Sequence, residues 1–357
     1  MPFYLINVIL FVILINVMGY YEIVLLVFFA LWCALGLMLI QYALFTIIGI
    51  FAKKKYPSTD KKLKYGVIIG ARNEEFVIGG LLDSINNSDY PRDKIQVFVV
   101  AHNCTDKTAE IARSKGATVY EYNNPAERTV GYAYKHLVQK INEDYGTENY
   151  DGFFIINADN TVSKNYFTKM NDAFVATEKK HIITSYRNSK NFADNYMSCL
   201  YGLYFITACR FEARGRTVCN CSTRVSGTGY VINSALLKDG WDYVTLTEDW
   251  EFSADNIARG SKIFYCDEAE FFDEQPTTVK VMLRQRMRWA RGHMIVFFTR
   301  FKALMKSLFT PKKKGGKNKY SVYDFSTSIL PLGVMSILTL IIQLILTAFC
   351  PYFGYDP

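Results

Sequence analysis

Three short stretches of this sequence carry side chains suited to a charged, oxygen-rich substrate. Asn157–Asn160 (NADN) sets one carboxylate beside neutral amide oxygens in a tight turn. Mg²⁺ or Mn²⁺ takes oxygen ligands and keeps waters beside one or two carboxylates and substrate phosphates, so Asp159, with Asn157, is a candidate cation site on a diphosphate. An Asx turn that caps the next helix needs the same residues. Thr247–Asp249 (TED) has two uses as well. Thr is a favoured N-cap, and Glu248 and Asp249 in a first turn complement the helix dipole. A carboxylate at that place can also serve as a general base. In Gln285–Gly292 (QRMRWARG) the cations Arg284, Arg286, Arg288 and Arg291 surround Trp289. Guanidinium forks bind phosphate oxygens, and an indole face packs against a sugar ring. Yet Val279, Met282, Met287, Ala290, Met294, Phe298, Phe301 and Met305 recur at helical spacing. Val279–Phe309 therefore also reads as a basic amphipathic helix lying on a membrane surface.

The elements that must hold these residues alternate. Apolar, β-branched runs at Tyr65–Gly70, Ile95–Ala101, Thr118–Tyr122 and Gly152–Ile156 read as buried strands. Helical patterns fall between them at Glu74–Asn87, Lys107–Lys115 and Arg128–Asp144. Strand, helix, strand with short turns implies right-handed crossovers and a largely parallel α/β sheet. Such sheets bind ligands beyond the carboxyl ends of their strands. Ala71–Glu75 (ARNEE) follows the first strand, His102–Asp106 (HNCTD) the second and NADN the fourth.

Half of the 357 residues are apolar and 21% are charged, which excludes a disordered chain. Between Met1 and Phe51 the only charged side chain is Glu22. Phe3–Met18 and Glu22–Phe51 read as two spans joined by a tight turn near Gly19–Glu22, and about Phe325 to Cys350 as a third, interrupted by Pro331 and Gly333. The third span leaves Pro357 on the far side directly after the helix, the ending expected of a chain that elsewhere would continue or of a truncated one. The net charge of +8 is no nucleic-acid footprint, because lysines crowd into Lys53–Lys64 and Lys302–Lys319, both beside apolar segments. That placement marks the cytoplasmic side of a membrane protein. The expected organisation is residues 1–52 as two transmembrane helices and 53–276 as a cytoplasmic catalytic domain. Residues 277–322 form an interface helix with a basic linker, and 323–357 a last transmembrane helix. The eight cysteines contain no CxxC pair and read as free thiols.

The order ARNEE, HNCTD, NADN, Ser226–Gly229 (SGTG), TED and QxxRW, bracketed by apolar spans, resembles the inverting family-2 glycosyltransferases with a GT-A fold. More narrowly it resembles the membrane-embedded cellulose, hyaluronan and poly-N-acetylglucosamine synthases. The resemblance covers about Tyr65–Gly292, and QxxRW following TED is its specific part. It implies that Ala71, Arg72 and Glu74 line the uridine end of a UDP-sugar, and that the turn at His102 meets the uracil. Asp159 holds Mg²⁺ or Mn²⁺ on the diphosphate. Ser226, Gly227, Thr228 and Gly229 shape the loop where donor sugar and acceptor meet. Asp249, beside Glu248, is the base, and Gln285, Arg288 and Trp289 close over diphosphate and acceptor. Three positions depart from the family. His102 stands where an Asp is usual, Asn157 where the first acid of a DxD pair is usual, and Val130 where a Lys is common. The reading this gives is a multi-pass cell-membrane enzyme. It transfers a sugar with inversion from a UDP-sugar to a polysaccharide. The alternatives are a glycolipid synthase adding single sugars, or a catalytically weak donor-binding scaffold subunit.

Overall fold

The computed structural model describes residues 20–311, 318–330 and 332–349. The chain divides into two units, residues 44–329 and the terminal segments 1–43 with 330–357.

The larger unit is built on an eight-stranded sheet with strand order 3-2-1-4-7-6-8-5. Strands β1 (Tyr65–Ala71), β2 (Ile95–His102), β3 (Thr118–Tyr122) and β4 (Gly152–Ile155) are parallel, with Tyr65 level with both Ile95 and Gly152. Their β-branched runs suit strands covered on both faces. Alternation sends Val67 and Ile69 to one side, against α1 (Ile78–Asn86) and α2 (Tyr166–Ala176). Ile68 points to the other, among α3 (Val130–Asp144), α4 (Glu248–Ala258), α5 (Val279–Phe309) and α6 (Lys319–Ile329).

The sheet, expected to be largely parallel, combines four parallel pairings with three antiparallel ones. β7 (Tyr230–Asn233) runs antiparallel to β4 and to β6 (Ile182–Ser189). β5 (Thr161–Val162) pairs antiparallel with β8 (Ile263–Asp273), while β6 and β8 are parallel. β7 leaves directly from SGTG and returns the chain through the sheet. The first helix is also shorter than its pattern. Asn73 adopts a left-handed φ of 56°, the Glu74 amide is taken by Thr108 Oγ1 at 2.8 Å, and regular helix begins only at Ile78.

Two apolar segments differ from the expected spans. Tyr20–Phe51 is one helix, so Tyr20–Glu22 belongs to it and not to a turn. Residues 3–18 lie outside the described residues. Among the described residues, one helical stretch, Leu25–Phe51, is long and apolar enough to cross a membrane. The run from Phe325 is divided. Lys319–Ile329 belongs to the larger unit, where Phe325 is 3% exposed and Asp324 pairs with Arg216 at 2.8 Å, both side chains buried. A separate helix, Leu332–Phe349, follows in the smaller unit, where Gln343 Oε1 accepts from Trp32 Nε1 at 3.3 Å. Polar Asp324, Ser326 and Thr327 are what direct the first half into protein.

Candidate active site

The carboxyl ends of β1, β2 and β4 open into a cleft of about 520 Å³. ARNEE and HNCTD form one of its ends and are knitted to each other. Asn73 Oδ1 accepts from the Thr105 amide at 2.8 Å, Asp106 Oδ2 from the Glu75 amide at 3.1 Å, and the Cys104 thiol donates to the Ala71 carbonyl at 3.4 Å. Ala71 ends β1 and Arg72 donates to the Arg128 carbonyl. Glu74 carries a carboxyl raised by burial and by the nearby charges of Asp106 and Glu274. His102 is 3% exposed. Its Nε2 lies 2.8 Å from the Glu127 carbonyl, which can only accept, so Nε2 carries the proton and Nδ1 is the acceptor. Burial holds the imidazole below its usual pKa, hence neutral. The ring stacks with Tyr122, which stacks with His136. Val130 lines the cleft and packs so closely that a Cβ on Gly70 would meet its methyl at 2.9 Å.

Asn157 and Asp159 line the middle of the cleft. Burial and the charge of Asp273 raise the Asp159 carboxyl, with Arg187 opposing. No group of three His, Cys, Asp or Glu side chains suited to a metal occurs among the described residues. The donor set is one carboxylate whose charge is disfavoured where it stands, beside an amide. That fits Mg²⁺ or Mn²⁺ taking its remaining oxygens from water and phosphate. SGTG divides. Ser226 and Gly227 line the cleft, whereas Thr228 and Gly229 lie beneath it. Thr228 Oγ1 accepts from the Asn157 amide at 2.8 Å, and a Cβ on Gly229 would strike the Phe271 ring at 2.1 Å.

Glu248 and Asp249 open α4 and face the same cleft. A Cβ on Gly227 would lie 3.8 Å from Asp249 Oδ2, so the loop passes directly beside that carboxylate. Burial pushes the Asp249 carboxyl up to about 6, with its own helix start and Arg288 opposing. Burial and the neighbouring Asp249 raise Glu248 further. Gln285, Arg288 and Trp289 reach the cleft from α5. Arg288 donates to the Leu246 carbonyl at 3.0 Å, and Gln285 Oε1 and Thr247 Oγ1 are buried without a protein partner. Gly292 lets the helix approach, since a Cβ there would sit 2.4 Å from the Thr247 methyl. Arg286 lies over the rings of Tyr201, Tyr204 and Trp289 at 4.7, 4.5 and 5.0 Å and so fixes the indole.

The site residues that the resemblance implies thus meet at one cleft or directly beneath it, whereas Arg284 and Arg291 are exposed on α5 and do not line it. Sequence reasoning missed Arg187, Arg224, Trp250, Asp273, Glu274 and His293, which also line it. His293 packs on Trp250 with ring centroids 4.0 Å apart, and burial lowers its pKa to about 4. A carboxylate ending a strand was the available signal for Asp273. Arg187, inside a strand, offered none.

A mixed sheet with its carboxyl ends around a carboxylate-and-arginine cleft suits a ligand that carries phosphates. The chain belongs to the family described as "Glycosyltransferase like family 2", whose model matches residues 63–292. It is 27% identical over 235 residues to a "Probable glycosyltransferase YdaM" of Bacillus subtilis (strain 168), covering 65% of this chain and 56% of that one. It is 25% identical over 228 residues to a "Beta-monoglucosyldiacylglycerol synthase" of Synechocystis sp., covering 63% and 47%. The chain therefore spans about half the length of these relatives. Among solved structures it shares the fold of a mannosyltransferase from Pyrobaculum calidifontis, in complex with GDP-Man and Mn²⁺. The TM-score is 0.58, identity 16%, and coverage 93% of this chain and 94% of that chain.

Proposed function

We propose that the protein transfers a sugar, with inversion, from a UDP-sugar to an acceptor hydroxyl at a membrane surface. The observation that carries this reading is Asp249, a carboxylate at a helix start, beside the Gly227 loop and opposite Arg288 of the same cleft. Asp249 takes the proton of the acceptor hydroxyl, the oxygen attacks the anomeric carbon, and the bond from that carbon to the diphosphate breaks. The electron pair leaves on the phosphate oxygen, where Arg288 stabilises it. Mg²⁺ or Mn²⁺, held at Asp159 with Asn157, supplies further charge neutralisation on the diphosphate when bound. His102 supports a uracil base, because its neutral Nδ1 can accept from the N3–H.

For the acceptor we favour a lipid-borne hydroxyl over a growing polysaccharide. α5 presents Val279, Leu283, Met287 and Phe298 to solvent, and Phe298 is 72% exposed. Its 31 residues contain basic side chains and no acidic one, the pattern of a helix seated among anionic headgroups. Tyr196, Leu200 and Leu203, on the helix Tyr196–Ile206, are exposed too. That helix contributes Tyr204 and Phe205 to the cleft. The similarity to a beta-monoglucosyldiacylglycerol synthase points the same way. UDP release from a panel of UDP-sugars, with Mn²⁺ and either diacylglycerol vesicles or oligosaccharides, tests this reading. Release with a lipid-linked product of one added sugar is expected. A long polymer would return the polysaccharide reading, and no release with any donor would leave the scaffold reading.

A further inference from the structure

Asp273, at the end of β8, lies where neither the ARNEE and HNCTD turns nor TED and QxxRW account for it. Its side chain is almost fully buried and both oxygens are engaged. Oδ1 accepts from Asn160 Nδ2 at 2.8 Å, and the same amide donates to Asp159 Oδ1 at 3.0 Å. Asn160 Oδ1 in turn accepts from Thr228 Oγ1 at 2.6 Å, the hydroxyl that holds the Asn157 amide. On its other side, Oδ2 accepts from Arg187 Nε at 2.7 Å and from Arg187 Nη2, and from Gln275 Nε2 at 3.0 Å. Arg187 Nη1 then donates to the Ser226 carbonyl at 3.1 Å, and its guanidinium lies 4.0 Å over the Phe205 ring.

We infer that Asp273 is a positioning residue that locks the donor turn Asn157–Asn160 and the acceptor loop Ser226–Gly229 into one register. One side of the carboxylate fixes the turn through Asn160, and the other fixes the loop through Arg187. The hydrogen bonds run in a consistent direction from donor to acceptor, and the partners come from four separate segments. A buried polar set so fully satisfied specifies one arrangement, and it loses that uniqueness when a single member changes. Arg187 and Thr228 do not touch each other in this scheme, yet each should govern the other's side through Asp273. The loop beside Asp249 is then held at a fixed place relative to the diphosphate turn. The consequence for transfer rests on the proposed reaction; the linkage itself does not.

The test uses the full chain in detergent with two mild variants, Arg187→Lys and Thr228→Val, and their double variant. Amide hydrogen exchange reads the linkage without turnover. Arg187→Lys is expected to speed exchange in the Asn157–Asn160 turn by about threefold or more, although the Arg187 side chain hydrogen-bonds the loop and Asp273 and not the turn. Thr228→Val is expected to do the same at Asp273–Gln275, on the far side of the Asp273 carboxylate from Thr228. Loosening confined to each variant's own segment would overturn the proposal. Turnover of the same proteins is the second readout. Each single variant should lower kcat by about tenfold with donor KM nearly unchanged, and the double variant should be no worse than the poorer single one. Independent, multiplying losses would overturn it as well. A parent that releases no UDP would refute the reaction while the exchange result still decides the linkage. Where Arg187→Lys does not fold, Asn160→Ser removes the central amide and is read in the same two ways.

Discussion

Two carboxylates stand side by side at the head of α4, and their surroundings separate their roles. Asp249, half-buried and raised to about 6 by burial, is ionised at neutral pH and ready to accept a proton. Glu248 is raised further by burial and by Asp249, and so holds a proton more tightly. The rate should therefore fall as pH drops through about 6, since protonation removes the base, and a pH–rate profile of UDP release should show that acid limb. The sign for stability is opposite. An acid whose folded pKa lies above its unfolded value stabilises the fold at low pH and loses that contribution as pH rises toward the folded pKa. Glu248→Gln removes this loss, so its melting temperature should gain on the parent's as pH rises from 4.5 to about 8. An unchanged difference would show that Glu248 carries no raised pKa. These residues were legible in the sequence because each lies in a short motif at the start or end of one element. Asp273 and Arg187 were not. They meet only because β6 pairs in parallel with β8, setting Arg187 opposite Phe271, and local pattern does not give strand order.

At the scale of elements, the site depends on how closely α5 approaches the start of α4. Gly292 permits it, with the Thr247 side chain filling the space where a Cβ would be. Gly292→Ala should force the helix outward at a cost of about 1–3 kcal/mol, typical of overpacking. Turnover should suffer more than folding, because Gln285, Arg288 and Trp289 ride on the same helix. Melting and kcat measured together decide this. A variant with a lower melting point and full kcat would show that the approach serves packing alone. The helical span of Val279–Phe309 was readable from its spacing, whereas the division of the last apolar run was not. Phe325 looks like any lipid-facing aromatic until the buried Arg216–Asp324 pair is seen to draw its helix into the larger unit.

For the whole molecule, the proposed function places the exposed apolar and basic face of α5 on a membrane surface, and that placement makes turnover depend on lipid. The Lys and Arg side chains of such a helix are attracted to anionic lipid in addition to the burial of its apolar face, and salt screens that electrostatic part. In the full chain held in detergent, turnover should rise when anionic lipid replaces neutral lipid in the mixed micelles, and 1 M salt should reverse the gain. Phe298→Glu, far along the helix from QxxRW, should blunt the response. Equal turnover in both lipids would remove the surface from the account. The α/β order and the strand-end site were visible in the chain from the start. The antiparallel β7 was hidden because strand direction follows from how SGTG returns the chain, not from the residues of β7.

The measurement that tests the central claim most directly is UDP release by Asp249→Asn beside the parent, at saturating donor and neutral pH. The substitution keeps shape and a hydrogen-bond acceptor at the helix start but removes the atom that takes the proton. General-base catalysis contributes about 10²–10⁴-fold, so turnover should fall by about that factor while UDP affinity stays at the parental value and the melting temperature does not fall. Full turnover by the variant would contradict the account and leave Thr247–Asp249 as a helix cap.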